Sequence, residues 1–206
     1  MKRLVDIIIA SIALLLLSPI FLIVAYKVRK NLGSPIFFYQ ERPGKSCKKF
    51  RMIKFRSMKN AFDQNGHPLP DDQRITPFGQ KLRSTSLDEM PQLLNVLKGD
   101  MSIVGPRPQL PEFVEHYTTH QMRRHEVKPG MTGLAQVSGR NNLSWEEKFD
   151  LDVEYVEKQS ILLDFKIMFK TVEVMLKKEG IDSPDQAVGA SRFSGTESTD
   201  TKSTNH

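Results

Sequence analysis

The sequence predicts an α/β fold, mainly helical, built as one domain behind an apolar N-terminal segment. Three observations carry this. Residues 7–26 are almost unbroken hydrocarbon. Two runs rich in aromatic and β-branched residues, 36–41 and 49–57, flank Arg42-Pro43-Gly44-Lys45, which is the pattern of a small β-hairpin. From residue 87 onward, apolar residues recur at helical spacing. The 206 residues are enough for one core. The single cysteine, Cys47, excludes an intrachain disulfide and agrees with a cytosol-facing domain. A formal charge of +6 suits anionic partners, whether nucleic acid, acidic lipid headgroups or phosphorylated substrates. No aromatic stacking platform is interleaved with the basic residues, so nucleic acid is not expected as a partner.

The apolar segment has about the length of a bilayer crossing. It is too long for a signal peptide and no small-residue cleavage site follows it, so it is expected to remain in the protein. Lys2 and Arg3 precede it; Lys27, Arg29 and Lys30 follow. Positive charge prefers the cytoplasmic side, so a straight span puts one cluster on the wrong side. Ser18-Pro19 interrupts the run. Pro19 removes a backbone donor and crowds the Leu15 carbonyl, and the Ser18 hydroxyl can bond a carbonyl one turn back. Two geometries remain open from these residues: a kinked re-entrant helix with both ends in the cytoplasm, and a proline-kinked span.

The remaining elements follow from local signals. Residues 63–77 are polar, hold three prolines and a glycine, and read as a surface loop. Helices are expected over 87–98, stopped by Gly99, and over 111–126, closed by Pro129-Gly130. Ser144-Trp145-Glu146-Glu147 is a capping box opening a helix to about Lys158. Trp145, Phe149, Val153 and Val156 share one side of it, which favours core packing for Trp145 over a sugar platform. In 161–178 the polar stripe Lys166, Lys170, Glu173 and Lys177 adjoins a wide apolar face. That face fits a helix lying in a bilayer interface, or one packed on the core. The Ser/Thr/Gly-rich tail is expected to be disordered. The expected organisation is thus 1–33 as the membrane helix, 34–182 as the cytosolic domain and 183–206 as the tail.

Four segments could carry chemistry. Asp88 and Glu89 open a helix with Pro91 in its first turn. Acids there complement the helix dipole, and two fixed carboxylates can equally serve as metal ligand and nucleophile. In Gly105-Pro106-Arg107-Pro108 the prolines stiffen the backbone that presents Arg107, which suits an anion such as phosphate or a structural ion pair. Lys54 and Arg56 share one side of a strand and could neutralise a diphosphate or face solvent. The glycine-rich stretch 130–140, with Gln136 and Arg140, could approach phosphates closely, but lacks the dinucleotide and P-loop patterns. The five histidines show no metal-ligand pattern.

Taken in order, these motifs resemble the bacterial sugar transferase family, the monotopic phosphoglycosyl transferases. The resemblance runs from Lys2 to about Lys178. It rests on Ser18-Pro19, Lys54-Phe55-Arg56-Ser57-Met58, Leu87-Asp88-Glu89-Met90-Pro91-Gln92, Leu97-Lys98-Gly99-Asp100-Met101-Ser102, Gly105-Pro106-Arg107-Pro108 and Lys128-Pro129-Gly130-Met131-Thr132-Gly133. It is most similar to the short PglC-type members that hold only the minimal catalytic unit. The resemblance implies transfer of a phospho-sugar from a UDP-sugar to polyprenyl (undecaprenyl) phosphate, with UMP released. It implies Asp88 as covalent nucleophile, Glu89 as metal ligand or as base toward the incoming phosphate, and Mg²⁺ held by Asp88 and Glu89. Arg107, Lys54, Arg83, Arg140, Gln136 and Arg56 become candidate phosphate contacts. It favours the re-entrant geometry, at the cytoplasmic face of a bacterial inner membrane and among its lipids. A membrane-anchored basic binding module without turnover is the alternative; it requires neither Asp88 nor Mg²⁺.

Overall fold

A computed structural model describes residues 1–139 and 143–177. Helix α1, Lys2–Leu32, runs unbroken through Pro19. Pro19 cannot donate to the Leu15 carbonyl, and the Ser18 hydroxyl takes that place at 2.8 Å. Strands β1, Phe37–Pro43, and β2, Lys49–Phe55, form the antiparallel hairpin, with Phe38 opposite Lys54 and Arg42 opposite Phe50. The next elements are α2, Asp71–Arg74; α3, Pro77–Ser84; and α4, Gln92–Lys98. Strand β3, Ser102–Val104, is followed by α5, Thr119–Met122, and by β4, Gly130–Thr132. Helices α6, Leu134–Ser138, α7, Trp145–Lys158, and α8, Ile161–Lys177, complete the described chain. The mainly helical class and the hairpin are as the sequence predicts.

Two parts of α1 lie on two different pieces of the core. Ala10 is sealed among Phe50, Met52, Val96, Met101 and Ile103, with Ile9, Ala13 and Leu14 beside it. Val24 and Val28 pack with Phe55, Leu82 and Met90. Polar contacts fix the ends. The buried Asp6 carboxylate accepts from Ser102 Oγ at 2.9 Å and from the Ile103 N–H at 3.0 Å. Lys2 reaches Asp164 at 2.6 Å, and Arg3 donates to the Val96 and Leu97 carbonyls at the end of α4. At the other end Arg56 donates to the carbonyls of Leu32 and Ser34. Leu15, Leu16, Leu22 and Ile23 stay exposed, as do Leu162, Phe165, Phe169 and Leu176 on α8.

Several sequence readings need correction. The helix expected over 87–98 begins instead as a 3₁₀ turn, Leu87–Glu89, and becomes α-helical only after Pro91, which lacks the N–H and fixes the break. Ser86, which precedes the 3₁₀ turn, is left-handed, with φ 54° and no capping bond from its side chain. The helix expected over 111–126 is three short pieces. Thr118 and Gln121 form a capping box that starts a new helix in its middle. The loop over 63–77 contains α2, and α3 follows directly, capped by Thr76. The capping box at Ser144 is present as expected. Trp145 packs against Phe113 and Phe149 at ring distances of 5.3 and 5.7 Å. The expected tail and Arg140 lie outside the described residues.

The parallel pair β3–β4 was not foreseen, and it reassigns the glycines. Gly105 N–H donates to the Thr132 carbonyl and Gly130 N–H to the Pro106 carbonyl. A Cβ on either glycine would strike the opposing backbone. These glycines therefore let two backbones touch. The contact lays the Gly105-Pro106-Arg107-Pro108 turn on Pro129-Gly130.

Candidate active site

The acid pair is turned toward a cleft by its neighbours. Leu87 and Met90 pack into the core formed with α1, α3 and β2, which leaves Asp88 and Glu89 lining an open cleft of about 1470 Å³. Asn95 fixes the adjoining strand. Buried on α4, it accepts from Ile53 N–H at 3.0 Å and donates to the Arg51 carbonyl at 2.8 Å. Lys54 is thereby held across from Glu89.

Glu89 is the hub of the cations. Lys54 Nζ lies 2.8 Å from Glu89 Oε1. Arg107 bridges the same carboxylate at 2.7 and 3.4 Å, one nitrogen to each oxygen. Burial alone raises the Glu89 carboxyl, but the charges and hydrogen bonds of Arg107 and Lys54 outweigh it and hold the group well below the usual carboxylate range. Glu89 in turn raises the Arg107 guanidinium.

Asp88 differs from its neighbour. It is 7% exposed and lines the cleft. Among the described residues no donor bonds its carboxylate, and Lys54, Arg83 and Arg107 act on it only as nearby charges. Burial, with Glu89 adding to it, pushes the Asp88 carboxyl up to about 6 against the pull of those cations. A carboxylate with uncommitted lone pairs, held among cations and open to a cleft, is placed to attack phosphorus or to bind a divalent ion.

The other expected contacts are distributed unevenly. Arg83 lines the cleft and donates to Ser57 Oγ at 2.9 Å. Gln136 lines it too, its amide nitrogen on the Met131 carbonyl at 3.0 Å and its Oε1 buried without a partner among the described residues. Arg56 borders the cleft, but its guanidinium is turned to the end of α1, away from the Lys54 side chain that was expected to share its face. Two features escaped the sequence reading. Arg42, read only as part of a turn, lines the cleft with Gln40; the alternation of Phe38, Gln40 and Arg42 on one strand face was the available signal. Arg124, at 2% exposure, donates to Asp152 at 2.6 Å, to Tyr117 Oη at 2.7 Å and to the carbonyl of Arg107 at 2.7 Å.

The profile of the bacterial sugar transferase family matches residues 1–178. An uncharacterized sugar transferase, EpsL, from Bacillus subtilis is 50% identical over 95% of this chain and 96% of its own. A UDP-glucose:undecaprenyl-phosphate glucose-1-phosphate transferase from Klebsiella pneumoniae is 44% identical over 83% of this chain and 39% of its own. An undecaprenyl-phosphate galactose phosphotransferase from Salmonella typhimurium is 39% identical over 87% of this chain and 41% of its own. The chain thus spans nearly all of the first relative and about two fifths of the other two. On the match along residues 1–178 and these relatives, the chain belongs to the bacterial sugar transferase family.

Proposed function

We propose that this chain transfers a sugar phosphate from a UDP-sugar to undecaprenyl phosphate, with Asp88 as the covalent nucleophile. The observation that carries the reading is the Asp88 carboxylate itself, bonded by no donor among the described residues, facing the cleft and near the charges of Lys54, Arg83 and Arg107. In the first step Asp88 attacks the β-phosphorus of the UDP-sugar. The bond to the bridging oxygen breaks, and UMP leaves with the electron pair. In the second step a phosphate oxygen of the lipid attacks the same phosphorus and Asp88 departs as carboxylate. Two half-reactions through one intermediate give ping-pong kinetics. Lys54, Arg83 and Arg107 offset charge on the phosphoryl oxygens in both. Glu89 gathers Lys54 and Arg107; so paired, it is a poor base. The names of the Klebsiella and Salmonella relatives supply the substrate classes.

The donor set suits Mg²⁺. Mg²⁺ takes one or two carboxylates and completes its shell with substrate oxygens and water, and the Asp88 carboxylate lines the cleft with no donor bonding it among the described residues. Asp88, with Glu89 beside it, would hold the ion. When bound it would supply neutralisation of the diphosphate charge.

The membrane reading rests on α1. Its length and composition allow a crossing. Yet Lys2 and Asp6 near one end and Val28 and Leu32 near the other all contact the same domain. A helix dipping into the cytoplasmic leaflet of a bacterial inner membrane and returning keeps all these contacts; a straight span of roughly 45 Å pulls one end away. The exposed apolar residues of α1 and α8 would face lipid, setting the cleft at headgroup depth. The test is a panel of UDP-sugars with undecaprenyl phosphate, following UMP release. Asp88→Asn is expected to lose about 10³-fold or more, as for a lost nucleophile. The wild type without acceptor is expected to hold a phospho-sugar on Asp88, visible by mass spectrometry. Near-normal turnover of Asp88→Asn, or an adduct at another residue, overturns the mechanism and revives the binding module.

A further inference from the structure

Arg42 lines the cleft and makes no ion pair among the described residues, with Glu112 and Glu89 acting on it only from beyond ion-pair distance. Its side chain projects from the inward face of β1 opposite Phe50, beside Gln40. One terminal nitrogen donates to Gln40 Oε1 at 2.7 Å. Its Nε is buried with no partner among the described residues. Among the described residues no carboxylate lies within ion-pair distance of it, and its strongest charged neighbour is a like charge, Arg107. Burial and that neighbour pull its pKa down to about 10. Its neighbours are better matched: Lys54 and Arg107 share the Glu89 carboxylate, Arg83 holds Ser57 and Arg124 holds Asp152.

A desolvated guanidinium with an unmet donor beside a second guanidinium is costly, and native chains keep such groups for a reason. An anion with several oxygens meets the Arg42 donor together with the Arg107 N–H groups that Glu89 leaves over, and phosphoryl groups match guanidinium geometry. We propose that Arg42 and Arg107 form a two-guanidinium clamp for a phosphoryl group in this cleft. The clamp rests on the transferase reading only in naming whose phosphate it holds. The candidates share one chemistry: the diphosphate of the nucleotide donor, or the phosphate monoester of the lipid acceptor. Glu89 orients Arg107 from the side of the nucleophile, and Gln40 orients Arg42 from the strand.

The test uses the full chain in detergent micelles or nanodiscs, with Arg42→Gln and Arg42→Lys. Inorganic pyrophosphate is the first probe, titrated by calorimetry. Arg42→Gln is expected to bind it about 10- to 100-fold more weakly than wild type, the worth of a charge-assisted hydrogen bond, with Arg42→Lys in between. The second readout is kcat/KM for each substrate, which ping-pong kinetics separates. A fall confined to the UDP-sugar assigns the clamp to the donor; a fall confined to undecaprenyl phosphate assigns it to the acceptor. Pyrophosphate binding unchanged in Arg42→Gln, with only the melting temperature lowered, makes Arg42 a strut for Gln40 and overturns the clamp. So does a wild type that binds no pyrophosphate, or equal constants for both substrates. If the wild type and Arg42→Gln differ in pyrophosphate affinity but the wild type transfers nothing, the clamp stands and the transferase reading falls.

Discussion

Two arginine–carboxylate pairs meet at Arg107 and are finished to different degrees. Arg124 and Asp152 are sealed from water, and the guanidinium spends its donors on Asp152, Tyr117 and the Arg107 carbonyl. Tyr117 and Phe149 also lie against its face, at 5.4 and 5.2 Å from the ring centres. Arg107 and Glu89 are also paired, but at a cleft, with Lys54 on the same carboxylate and, next in sequence, Asp88, which no donor bonds among the described residues. The first pair is saturated and can only hold; the second keeps charge and lone pairs in reserve. Saturation distinguishes structural from chemical use of the same residue types, and the Arg124 bond to the Arg107 carbonyl joins the two.

The largest effect expected from this contrast is on stability. Arg124→Met strands a buried carboxylate and is expected to cost about 3–5 kcal/mol in denaturant unfolding, with Arg124→Met/Asp152→Leu recovering much of it. Arg107→Met leaves Glu89 its lysine and is expected to cost on the order of 1 kcal/mol, while UMP release falls about 10²-fold or more. If Arg107→Met proves the more destabilising of the two, saturation is the wrong criterion.

The contrast also has a pH signature. The Asp88 carboxyl, pushed up to about 6, is protonated more readily folded than unfolded. Its contribution to stability is present below its ordinary value of 3.8 and is lost as pH rises through about 6. Asp88→Asn is therefore expected to remove a decline in stability across that window. Glu89 runs the other way: held low by Arg107 and Lys54, it contributes above its ordinary 4.5 and loses this as pH falls. Carbon NMR of the carboxyl groups in the metal-free protein checks both. Lys54→Met should move the Asp88 titration to higher pH. Glu89→Gln should move it lower, since a like charge goes and two cations are released. Shifts in the opposite directions would show that Asp88 does not sense this cluster.

Local signals reveal the parts of the site that depend on neighbours in sequence. Asp88-Glu89 before Pro91, the proline-flanked Arg107 and the Ser144 capping box each declare themselves within a few residues. The parts made by distant segments were silent. Three-residue strands paired in parallel leave no periodicity to read, so β3–β4 and the role of its glycines were missed. Arg124 sits in Arg123-Arg124-His125-Glu126, where nothing local separates it from Arg123, which faces solvent and pairs with Glu126 and Glu157. Arg56 looked like a partner of Lys54 because strand alternation is a local rule. The end of α1, brought in from 24 residues away, took its guanidinium instead.

The smallest expected effect tests saturation where no water is expected. In α1 the Leu15 carbonyl loses its helical donor to Pro19 and gains the Ser18 hydroxyl. Ser18→Ala is then expected to cost about 1 kcal/mol, measured by thermal unfolding in micelles, because it orphans a carbonyl on a face meant for lipid. Pro19→Ala restores a backbone donor to that same carbonyl. In the Pro19→Ala background, Ser18→Ala should therefore cost nearly nothing. The difference between the two backgrounds isolates the one bond. Equal costs in both would mean that the hydroxyl bonds elsewhere, and that the proline turn is held by packing of Leu17 and Phe21 on the domain rather than by local satisfaction of its backbone.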